Sequence, residues 1–70
     1  MDMGNDEERI KFASVVATVF HNAAVEYEYA NDYSNSLIYY QKALRVSQIH
    51  LGKFDPTTQR FLEHFNQAKA

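Results

Sequence analysis

Apolar residues recur at Ile10, Ala13, Val16, Ala17, Phe20, Ala23, Ala24, Tyr27 and Ala30, the spacing of three and four that marks one face of a helix. Asn5 or Asp6 supplies a cap, and Glu7 and Glu8 follow where negative charge favours the first turn. No Gly or Pro interrupts the stretch up to Ala30, so the pattern predicts a first helix over residues 6–30. Its length would be roughly 36 Å. Residues 1–5 show no periodicity and are expected to be disordered.

Asn31-Asp32 forms the first turn, because Asn tolerates the left-handed backbone that ends many helices. A second helix is expected over residues 33–51, with Tyr33, Ser36 or Leu37, Tyr40, Ala43 or Leu44, and Ser47 turned inward. Gly52 stops it. Asp55-Pro56 then starts a third helix over residues 56–69, Asp as cap and Pro at the first helical position. Phe61, Leu62, Phe65 and Ala68 give that helix its apolar side. The Val residues fall in helical rather than alternating positions, so the fold class is all-α, three helices joined by two short loops.

The first helix carries a second apolar line, Phe12, Val15 and Val19, with Glu26 partly in register, turned about 100° from the first. Two readings stay open. The line packs beneath the third helix, or it is an interface with a partner or a second copy.

Size and charge narrow the function. Seventy residues make one small domain, and a chain this short buries only about 60% of its unfolded surface. The ten aromatic residues, five Phe and five Tyr, suit a packed helical core. The net charge of −2 is spread along the chain and forms no basic face, which argues against nucleic acid as a partner. Without cysteine there is neither a disulfide framework nor a thiolate metal site. No apolar run approaches the roughly 20 residues of a membrane span. The acidic, polar start from Met1 to Arg9 is unlike a targeting signal, so a cytoplasmic setting is expected.

The central segment, Asp32-Tyr33-Ser34-Asn35-Ser36-Leu37-Ile38-Tyr39-Tyr40-Gln41-Lys42-Ala43-Leu44, resembles the second helix of a tetratricopeptide repeat. The resemblance extends from Thr18 to Leu51, about one repeat of roughly 34 residues. Phe20 takes the place of a large apolar residue and Ala24 that of a small one admitting close approach. Tyr27, Tyr33, Ser36, Tyr40, Ala43 and Leu44 fill the packing positions between the two helices. Leu51-Gly52-Lys53-Phe54-Asp55-Pro56 is similar to the lengthened loop of kinesin-light-chain-type repeats, with Leu-Gly at its start and Pro at its end. Asn31, Ser36, Ala23 and Asp55 depart from the commonest family residues, Gly, Ala, Leu and His.

The resemblance implies a protein–protein interaction scaffold, the end of a larger repeat array, with the third helix as its cap. It places Thr18, His21, Asn22, Val25, Glu28 and Tyr29 on a partner-binding groove. Asn22 would exchange hydrogen bonds with an extended peptide backbone, Tyr29 would stack, and Glu28 would attract a basic residue. The positions that hold Lys and Asn in the family's carboxylate grip carry His21 and Val25 here, so a neutral or basic partner is expected rather than an acidic one. One repeat is also too few to bury its own faces. The alternative is therefore a small self-associating domain that uses Phe12, Val15 and Val19. An RNA-linked role would rest on analogy alone.

Chemistry is sparse. His21, His50 and His64 fall on different elements without metal spacing. Glu26 and Glu28, two apart on a helix, do not face each other. Gly4 and Gly52 make no phosphate loop, and Ser34, Ser36 and Ser47 show no nucleophile arrangement with His21. No enzyme activity, cofactor or metal is expected.

Overall fold

The computed structural model describes residues 3–70, and it is all-helical. Helix α1 runs from Met3 to Tyr29, α2 from Tyr33 to His50 and α3 from Pro56 to Lys69, with no strand among the described residues. The first helix starts earlier than the sequence pattern suggests. Asp6 lies in its first turn rather than capping it, and Met3 to Asn5 are helical rather than disordered. Met1 and Asp2 lie outside the described residues.

Each boundary has a local cause. At the end of α1, Asn31 takes φ +60°. Its N–H donates to the Glu28 carbonyl at 3.0 Å, and the Asp32 N–H donates to the Tyr27 carbonyl at 2.9 Å. These are the two bonds that close a helix around a left-handed residue. Asp32 then caps α2, its carboxylate accepting from the Asn35 backbone N–H at 3.2 Å and side-chain N–H at 2.8 Å. After α2, Gly52 adopts φ +94°, a conformation open to glycine at little cost. Asp55 caps α3 by accepting from the Thr57 N–H at 2.8 Å, with Pro56 in the first helical position.

The hairpin of α1 and α2 closes over small residues. Ala13, Ala17 and Ala24 on α1 and Ser36, Ala43 and Ser47 on α2 are buried, so the helices approach closely. At the tightest point the Ser36 hydroxyl donates to the Ala24 carbonyl at 2.8 Å. On one flank the rings of Phe20 and Tyr39 lie 6.0 Å apart and those of Tyr27 and Tyr39 5.4 Å apart. The Lys42 ammonium sits 4.8 Å from the Tyr39 ring centre.

Helix α3 inserts Phe61 into a cluster with Ala17, Ala43 and Leu44, and Phe20, Val46, Leu62 and Phe65 pack around it. The buried hydroxyls of Ser47 and Thr58 hydrogen-bond to each other between α2 and α3. Among the described residues no buried side-chain nitrogen or oxygen lacks a partner. The molecule measures 46 × 20 × 13 Å, drawn out along α1.

Three expected core positions are not core. Tyr33 is 64% exposed, and its hydroxyl donates to Asn31 Oδ1 at 3.0 Å instead of packing against Tyr27. Ala30 is exposed at the turn. Ile10 is 42% exposed because α2, with 18 residues against 27, ends before it can cover the start of α1.

Candidate interaction surface

The residues assigned to a groove separate into two groups. Thr18, Asn22 and Tyr29 are exposed and Val25 half-buried. At about 100° per residue these four share one side of α1. The Thr18 hydroxyl donates to the Ser14 carbonyl at 2.8 Å, so its methyl group is the part left outward. Tyr29 is 85% exposed.

His21 and Glu28 belong elsewhere. The His21 ring lies in the seam where the three helices meet, stacked on Phe61 with ring centres 4.8 Å apart and planes 13° apart. It meets the edge of Tyr40 at 5.4 Å, and its Nε2 is 2.6 Å from Nδ1 of His64. Burial holds its pKa below the ordinary 6.5, the neighbouring His64 and Arg60 push the same way, and Glu28 opposes them. Glu28 accepts a hydrogen bond from the Tyr40 hydroxyl at 3.0 Å. Burial, with that bond adding to it, pushes the Tyr40 hydroxyl up to about 12. These two groove candidates thus join the helices of this chain to each other.

The second apolar line of α1 lies fully in the open. Phe12, Val15 and Val19 are 71%, 61% and 58% exposed. Helix α3 does not cover them, which overturns the reading that placed them beneath it. The reason is geometric: Val19 is two residues from buried Ala17, about 200° around the helix, while α3 docks on α2 and on the His21 side of α1. Ser14, Val15, Thr18 and Val19 line a shallow depression of about 250 Å³. It joins the apolar line to Thr18.

A second depression, about 350 Å³, opens between α2 and α3 and is lined by Gln41, Leu44, Arg45, Gln48 and Phe65. Sequence periodicity did not mark it, because its walls mix core residues with the polar side of α2. Among the described residues no three His, Cys, Asp or Glu side chains gather as a metal site would need, and no helix is long and apolar enough to cross a membrane. Comparison with family models, with curated proteins and with solved structures returns no match to this chain.

Proposed function

We propose that this chain is a non-enzymatic protein–protein interaction module of the tetratricopeptide type, a helical hairpin with the opening helix of a further unit stacked on it. The observation that carries this reading is the one-sided packing of α1. The longest helix buries its alanine stripe and leaves the opposite side, from Phe12 through Val19 to Tyr29, uncovered. Single exposed apolar residues are ordinary; three in register on one helix, Phe12, Val15 and Val19, mark a contact surface. The close approach at Ala24 and Ser36, and the capped turn at Asn31-Asp32, suit the same family.

The partner is an extended peptide segment, neutral or basic, lying along Thr18, Asn22, Val25 and Tyr29. Asn22 offers one acceptor and two donors to a peptide backbone. Glu26, exposed near the end of the helix, adds negative charge there. His21 is turned into the seam and Val25 is apolar, so the positions of a carboxylate grip present no cation. A cytoplasmic array is the natural setting for such a unit.

Fluorescence anisotropy with a panel of extended peptides of neutral, basic and acidic sequence tests this. Neutral or basic peptides should bind, and Asn22→Ala and Tyr29→Ala should each weaken binding by about 1–2 kcal/mol, roughly 5–30-fold. Tightest binding by acidic peptides, or indifference to both substitutions, overturns the reading.

The exposure of Phe12, Val15 and Val19 favours a second reading, self-association through that line. It would give a folded oligomer in place of a monomer.

A further inference from the structure

We propose that His21 and His64 form a proton-operated latch, which keeps α3 docked on the hairpin while at least one ring is neutral and releases it when both are protonated. The inference stands on the contact itself. Nε2 of His21 on α1 and Nδ1 of His64 on α3 face each other at 2.6 Å, so one nitrogen must carry the hydrogen and the other the lone pair. With both rings neutral the bond forms. With one ring protonated it still forms, as an imidazolium N–H donating to a neutral ring, and is charge-assisted. A second proton puts two N–H groups and two positive charges nose to nose, and the bond has no acceptor left.

The surroundings make the second proton costly while α3 is docked. From α3, Arg60 adds a positive charge and Phe61 covers one face of the His21 ring. From α2, Tyr40 presents its ring edge to both imidazoles, at 5.4 Å and 6.3 Å between ring centres, and its hydroxyl stays neutral. From α1, Glu28 is the one group that favours protonation, and it is already engaged by the Tyr40 hydroxyl. Moving α3 away separates His21 from His64, Arg60 and Phe61 at once, so the undocked state takes the proton more readily.

The direction of the pH response follows. His21 titrates below its ordinary 6.5 in the docked state. The docked arrangement is therefore fully favoured above about pH 6.5, survives uptake of the first proton, and loses ground as the pH falls further and the undocked state takes up the second, at most about tenfold in the docking equilibrium per pH unit for one extra proton. Helix α1 meets α3 where Ala17, Phe20 and His21 surround Phe61 and His64, so the latch acts on a narrow seam. Its release uncovers Ala43, Leu44 and Ser47 on α2, which Phe61 and Thr58 otherwise shield. The output is an apolar α2 face revealed by acid.

Amide hydrogen exchange followed by NMR on the whole chain, between pH 7.5 and 5.0 and corrected for intrinsic rates, reads the latch. Protection in α3 should fall between pH 7.5 and 5.0, by no more than about tenfold per pH unit, while amides near Ala24 and Ser36 in the hairpin keep theirs. His64→Gln, which retains hydrogen-bonding groups but does not titrate, should flatten the α3 response; His50→Gln should leave it unchanged. An equal loss in all three helices, or an undiminished α3 response in His64→Gln, overturns the proposal. Should His64→Gln fail to fold, ring nitrogen shifts of the unaltered chain decide: His21 must titrate together with the loss of α3 protection, and separate titration overturns the latch.

Discussion

At the scale of single residues, small polar side chains do much of the positioning. Ser47 and Thr58 are the sharpest case, since both are fully buried and each hydroxyl is the other's partner. Removing one partner strands the other, and an unsatisfied buried hydroxyl costs about 1–3 kcal/mol. Ser47→Ala should therefore lower the unfolding free energy by about 1–3 kcal/mol, and adding Thr58→Val should recover most of it. Chemical denaturation of the two singles and the double checks this; a double variant that loses as much as the sum would contradict the pairing. This pair was half legible. Ser47 falls on the inward stripe of its helix, but Thr58 stands in a polar first turn, and nothing in a one-dimensional pattern says which serine it will meet. His21 is the converse case, a polar residue at a position where the family resemblance implied an open groove. Its placement depends on where α3 lands, a tertiary fact that helical periodicity does not contain. Tyr33 went the same way for a local reason, its hydroxyl held by Asn31 outside the crossing.

At the scale of elements, boundaries were readable because chemistry marks them. Asn31, Gly52 and Asp55-Pro56 each sit where a left-handed residue, a stop or a cap is required, and the structure uses each in that role. The start of α1 lies earlier than its cap signal, since Asn5 and Asp6 fall inside a helix that begins at Met3. Helix α3 is the element with the narrowest attachment, and it relies on its cap, on buried Phe61 and on Leu62 and Phe65 beside it. Asp55→Ala should cost about 1 kcal/mol, and Phe61→Ala about 3–5 kcal/mol. The loss should appear first in α3: hydrogen exchange should report its amides opening before those of the hairpin. Simultaneous opening of all three helices in Asp55→Ala would show that α3 is not a separable unit.

At the scale of the whole molecule, the chain finishes one side of α1 and leaves the other unfinished. The apolar line Phe12, Val15 and Val19 was visible in the sequence; its fate was not, because a helix apolar on two sides is compatible with burial or with an interface. The docking position of α3 decides between them. Since these residues carry little of the fold, Phe12→Asp should keep the helical signal and the thermal midpoint of the parent chain, while abolishing any oligomer seen by light scattering. Loss of helicity in that variant would mean that the line is part of the core after all.

The central question for this molecule is whether the open side of α1 receives a partner. The direct measurement is a backbone amide shift map of the chain titrated with the best-binding neutral or basic peptide. The predicted shifts cluster on Thr18, Asn22, Val25 and Tyr29, and spare the outer sides of α2 and α3. Shifts centred instead on Gln41, Arg45 and Gln48, in the depression between α2 and α3, would contradict it.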